Sequence, residues 1–228
     1  MAERQSAFPP ISKKMPFTFD FQTIAIDYLI GFCLGILFSV TINAEAQAFV
    51  AQILGDVRPS DQTRFHFNAF RHLDFPGTVA FFIAGFGWSR CVDVDTSKFE
   101  HPRIYSIIVQ CSGPAANFIL ASILSSLCLI IEQFSIDSRI FKIVLGVNLM
   151  TAVSNLLPFP PLALGRILEA FIPGRYKRFK KILLQAGSYF LTTALIIERI
   201  SESEHINDLL LPIFSPLFSF FTKSYAFG

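Results

Sequence analysis

Long apolar runs constrain this chain more than any other feature. Residues 104–131, 140–157 and 182–200 are apolar almost throughout, and 24–54 is a longer run punctured by Asp27, Asn43, Glu45, Gln47 and Gln52. Runs of about 18 residues or more match the hydrocarbon core of a bilayer, and backbone at that depth must satisfy its hydrogen bonds internally, which favours helices. A shorter run, 75–88, carries Gly85 and Gly87 near its end and reads as a re-entrant or partly inserted segment. The stretch from Ile206 onward contains Pro212 and Pro216 and reads as a kinked final span. The expected fold is therefore all-α: a polytopic transmembrane helical bundle of about five to six spans with one short inserted segment.

Composition agrees. Hydrophobic residues make up 52% of the chain and charged residues 16%, with a mean hydropathy of +0.52, outside the range of soluble globular domains. A length of 228 residues leaves room for spans and short loops, so residues 21–228 read as one integral membrane domain. Residues 1–20 are polar, contain proline and lack a signal-peptide pattern, and read as a flexible tail. No basic run interleaved with aromatics points to nucleic acid. The four cysteines, Cys33, Cys91, Cys111 and Cys128, show no C-x-x-C spacing, and packing explains them better than a disulfide framework or zinc ribbon.

Basic residues give an orientation. The loops 57–103 and 166–181 hold six Lys or Arg each, against one apiece in the intervening turns "EQFSIDSR" and "RISESEHIND", so the two basic loops are expected at the cytoplasmic face. Arg4, Lys13 and Lys14 would then lie outside, against the trend. The cluster "GRYKRFKK", 174–181, reads first as a topology anchor at an anionic leaflet. The Phe-rich C-terminal span suits lipid or a partner helix.

Polar residues at membrane depth mark where function is expected. In "SNLLPFPPLALGRIL" an apolar helix runs into a break at Pro158 and Pro161 and resumes near Leu164, with Asn155 just before the break. In the first run, Asn43 and Gln47 are four residues apart and share a helical face.

These segments, with "AFVAQILGD" (48–56), "FNAFRHLDFPGTV" (67–79), "FGWSRCVDVDTSKFEHPR" (86–103) and "CSGPAANFILA" (111–121), occur in an order and spacing that resemble the site-2 protease family of intramembrane zinc metallopeptidases, in its small bacterial branch without a PDZ domain. The resemblance runs from about Leu34 to Phe171. It implies a His-Glu-x-x-His pattern on the first helix, two imidazoles on one face holding zinc and a glutamate activating water. Those positions fall on Asn43, Ala44 and Gln47, and the family's aspartate ligand falls on Ala163, followed by Leu164 where the family has Gly. Carboxamides are poor zinc ligands and alanine is none. Glu45 is displaced by about 100° around a helix of 3.6 residues per turn from the position of the base.

The resemblance therefore implies a site-2-protease-like membrane protein without its zinc, a pseudoprotease in the bacterial cytoplasmic membrane. No metal or other cofactor is expected, and no residue is expected to be catalytic. A cleft lined by Asn43, Gln47, His72, Asp74, Asn117, Asn155, Pro158 and Pro161 would meet a transmembrane protein partner or place the chain as a structural subunit in a membrane complex. His72 and Asp74 read as hydrogen-bonding within their loop. Gly113, Pro114 and Asn117 read as helix packing with an interhelical bond. Asn155 either supports the Pro break or holds a peptide backbone. Asn43 and Gln47 are expected to form a carboxamide network with neighbours or Asn155, and His66, His101 and His205 read as solvated or structural. Two alternatives stay open: an active zinc endopeptidase with an altered metal set drawn from His72 and Asp74, and a transporter or channel component.

Overall fold

The computed structural model describes residues 26–57, 67–172, 174–203 and 205–222. The N-terminal tail with Arg4, Lys13 and Lys14, and His66, lie outside the described residues. Eight α-helices follow in order: α1 (Ile26–Ile53), α2 (Ala69–His72), α3 (Phe75–Ala84), α4 (Pro102–Gln133), α5 (Arg139–Ser154), α6 (Ala163–Ala170), α7 (Lys177–Ile200) and α8 (His205–Thr222). The described residues contain no strand beyond one isolated bridge between Leu73 and Ser89.

The first apolar run becomes α1 and the run 104–131 becomes α4. These two are long and apolar enough to cross a bilayer by length and composition. Only 22% of the apolar window of α4 is buried, so most of its hydrocarbon surface faces outward, the arrangement a lipid-exposed helix requires. Run 140–157 ends three residues early as a helix, at Ser154. At 16 residues α5 is about 24 Å long, and α3, at ten, is about 15 Å, shorter than a hydrocarbon core of roughly 30 Å.

The core is a trio of α1, α4 and α5. Every residue of α5 from Ile143 to Thr151 is buried, as expected of a helix covered on all sides. Small residues set the approach: a Cβ on Gly35 would stand 2.9 Å from Val147 Cβ, closer than side chains pack, and one on Gly31 3.2 Å from Ile143 Cβ, a tight contact that Ile143 would have to yield to. The other elements clothe the trio. Helix α7 packs on α3, α6 on α4, and α8 on α5, with Leu210 and Phe214 of α8 buried in the core while Leu209, Ile213 and Phe220 stay exposed. The Phe-rich segment thus spends one face on its own chain.

Loops are tied by side chains. Asp74 caps α3, its carboxylate accepting from the Gly77 amide at 3.2 Å and the Trp88 indole N–H at 2.8 Å. Gly77 presses so close to Trp88 that a Cβ there would meet the Trp88 carbonyl oxygen at 2.4 Å. After Trp88, the Arg90 amide donates to the His72 carbonyl oxygen at 2.7 Å. Farther along this connection the Ser97 hydroxyl (2.6 Å) and amide (3.1 Å) hold the Asp95 carboxyl below its ordinary pKa. All four cysteines are free, with Cys91 and Cys111 exposed and Cys128 buried.

Candidate functional site

The site grows from three polar stripes on otherwise apolar helices. Ser39, Asn43 and Gln47 succeed one another at intervals of four on α1, and Asn148 and Thr151 stand three apart on α5, so each set shares one face. Helix α4 contributes Asn117. Buried away from water, these groups must find partners in one another.

Asn117, fully buried, is the hub. Its Oδ1 accepts from Asn43 Nδ2 at 2.9 Å, and its Nδ2 is shared among Ser39 Oγ (2.9 Å), the Ser39 carbonyl oxygen (3.1 Å) and Asn148 Oδ1 (3.1 Å). Ser39 in turn donates to Thr151 Oγ1 at 2.8 Å, and Gln47 Nε2 donates to Asn43 Oδ1 at 2.8 Å. The Ser89 hydroxyl reaches the same Asn43 oxygen at 3.3 Å. Gly113 makes room for this pair: a Cβ at that position would lie 2.7 Å from both Asn43 Oδ1 and Gln47 Nε2.

Asn155 stands apart from the Asn43–Gln47 pair. Its Nδ2 donates to the Thr151 carbonyl oxygen at 2.7 Å and its Oδ1 accepts the Ala163 amide at 2.9 Å, while its own carbonyl accepts from the Leu164 amide at 3.0 Å. One side chain therefore joins the end of α5 to the start of α6 across the proline break, satisfying amides at a helix start that has no side-chain cap of its own. Pro161 is half-buried beside it and Pro158 is exposed.

A small, partly open pocket with interior room on the scale of a single water molecule lies where these elements meet, and Asn43, Gln47, Asn155, Pro161 and Ala163 all line it. The fold thus brings Ala163 to the same space as Asn43 and Gln47 of α1, the three positions that the family resemblance assigns to zinc ligation. Ala44 is fully buried and is not among the lining residues. The positions the resemblance assigns to ligation do not fit zinc, being two neutral carboxamides bonded to each other, one of them also to Asn117, and a methyl group; Cys91 is the one thiol on the pocket wall.

Glu45 points elsewhere. Its Oε1 lies 2.9 Å from His72 Nε2 and accepts the Phe67 amide at 3.1 Å, both side chains being largely buried. His72 thus reaches across to α1, not only within its own loop, because the turn of one residue that takes Glu45 out of the cavity brings it under α2. Asp74 stays within its loop and at Trp88. Among the described residues no group of three or more His, Cys, Asp or Glu side chains is placed to hold a metal ion. His101 and His205 are exposed, His101 at the start of α4 with its ring edge-on to Tyr105. In the basic cluster, Arg175, Arg178 and Lys181 are exposed and Lys180 pairs with Glu169 at 2.7 Å.

Sequence reasoning overlooked Ser39, Asn148 and Thr151, which carry half of the hub. Their signal was present, as polar residues at helical spacing on apolar helices. Trp88, Gln110 and Arg166, which also line the cavity, carry no such periodic mark.

No family model matches the chain, and no solved structure matches it. A protein of Bacillus subtilis strain 168, named "Putative zinc metalloprotease YwhC", is 30% identical over 200 residues, spanning 80% of this chain and 90% of that protein. That identity, held over nearly the whole of the relative and joined to the order of segments around the cavity, means that the chain belongs to the site-2-protease-like family of metalloproteases.

Proposed function

We propose that this chain is a catalytically inactive member of its family, an integral protein of the bacterial inner membrane with five to six spans, which binds a transmembrane partner or serves as a structural subunit of a membrane complex. One observation carries the reading: the cavity walls present Asn43, Gln47 and Ala163 where metal ligands would be needed, and the two carboxamides are committed to a hydrogen-bond network. Hydrolysis of a peptide bond needs an activated water, and those walls carry no carboxylate or imidazole base and, with Cys91 as their one thiol, too few ligands to hold a Lewis acid. What remains is a polar recess at the junction of α1, α4, α5 and α6, suited to holding backbone or side-chain groups of a neighbour.

Elemental analysis of the detergent-purified chain tests it. The expected result is zinc far below one per chain in the wild type, with uptake in the variant Asn43→His/Ala44→Glu/Gln47→His/Ala163→Asp. Near-stoichiometric zinc in the wild type, with cleavage of a membrane substrate, would overturn the reading. It would favour an altered metal set for which the Glu45 and His72 contact is the one supporting feature; the engagement of Asp74 with Gly77 and Trp88 weighs against it. Solute flux through reconstituted protein would point instead to a transporter or channel component.

A further inference from the structure

We propose that the outward face of α7 binds an anionic phospholipid, with Arg175, Arg178 and Lys181 on its headgroup. The helix divides its residues between two sides. Leu191 and Leu195 are buried, Gly187 lies so close to the proline break that a Cβ there would stand 2.8 Å from the Pro160 carbonyl oxygen, and the Thr192 hydroxyl donates to the Pro76 carbonyl oxygen at 3.2 Å. Ile182, Tyr189, Phe190 and Ile197 are exposed, and at 3.6 residues per turn they fall within about 100° of one another on the opposite side. Arg178 continues that stripe one turn toward the start of the helix, Lys181 stands at its edge, and Arg175 precedes it. These three cations are exposed and none is paired with an acid among the described residues, whereas Lys180 is held by Glu169 of α6 at 2.7 Å. The Arg175 guanidinium lies over the Tyr176 ring, 4.9 Å from its centroid, which occupies the face of the group and leaves its N–H edge for an acceptor.

A cationic turn that leads straight into an apolar stripe suits a molecule in which an anion and hydrocarbon are joined. From Ile182 to Ile197 the stripe runs about 22 Å, enough to cover the roughly 15 Å of hydrocarbon in one leaflet. Arginine meets phosphate oxygens with paired N–H bonds, and each cation held near an anionic surface adds to the attraction. Inorganic phosphate leaves the stripe uncovered, and a zwitterionic lipid brings a cation of its own to the same place. In the sequence Lys180 and Lys181 are equivalent members of one basic run. The fold separates them, because the acid on α6 takes the first and leaves the second to the headgroup. The site lies outside the pocket and stands whatever the pocket holds.

The full-length protein, delipidated in detergent, is offered equal amounts of dioleoyl phosphatidylglycerol and dioleoyl phosphatidylcholine, and native mass spectrometry reads the ratio of the bound lipids. The expected result is a preference for phosphatidylglycerol of about tenfold or more, falling as ammonium acetate is raised. Arg175→Gln/Arg178→Gln/Lys181→Gln should bring the ratio close to one, while Lys180→Gln keeps the preference, with circular dichroism in detergent confirming that both variants fold. Equal retention of the two lipids overturns the proposal, as does a preference that survives the triple variant or that Lys180→Gln removes as fully. Displacement of phosphatidylglycerol by glycerol 1-phosphate at equal concentration would assign the cluster to a bare phosphate and overturn it as well. Zinc content reads the pocket alone, so each of these outcomes leaves the inactive-protease reading to its own test.

Discussion

At the scale of single residues, the informative positions were those whose chemistry clashes with their surroundings. Asn43 and Gln47 were conspicuous in an apolar run, and their shared face followed from a spacing of four. Their bond to Asn117 did not, because a contact across 74 positions depends on how α1 and α4 cross. The same holds for Glu45, whose partner His72 lies 27 residues on and is brought in by the turn of α2. Removing that carboxylate leaves His72 and the Phe67 amide without an acceptor they now share. Glu45→Ala is therefore expected to destabilise the protein by about 1–3 kcal/mol. Thermal unfolding in detergent checks it, and a Glu45→Gln variant, which keeps an acceptor, should lose less.

Among the elements, helix existence was legible wherever apolar runs were long, and α1, α4, α5 and α7 fall close to their expected places. Ends were less so. The run through 140–157 stops as a helix at Ser154 because Leu156 and Leu157 turn back toward Val153 and Ser154 and the prolines forbid continuation. The pair Gly31 and Gly35, a G-x-x-x-G pattern, announced the close approach of α1 to α5 and was overlooked. Helix α3 depends on one side chain at its start. Asp74→Ala removes both the cap and the acceptor of the Trp88 indole, and a loss of about 1–2 kcal/mol is expected, with a change in Trp88 emission as the local readout.

For the whole molecule, the all-helical class followed from hydropathy, while the number of crossings cannot be read from apolar length alone once short helices such as α3 and α5 are packed inside their own chain. Helices α1 and α4 give the clearest test. Phe38 and Ile119 lie near their midpoints and are 51% and 58% exposed, so a bilayer would put both against acyl chains. In a cysteine-free background reconstituted into vesicles, spin labels placed at either position should be relaxed by oxygen and ignored by a water-soluble nickel chelate. Relaxation by the nickel complex would place these faces in water and contradict a membrane-spanning arrangement.

The hub around Asn117 has a consequence for the conditions the protein can tolerate. It fastens α1, α4 and α5 with amides and hydroxyls alone, groups that neither gain nor lose a proton between mild acid and mild alkali. A metal held at the same junction would make the three helices hostage to chelators, to metal starvation and to protonation of its ligands. The bonds of the hub itself depend on none of the three, so what a shift in acidity can loosen between these helices lies outside it, at the Asp27–Arg139 and Glu132–Lys142 ion pairs.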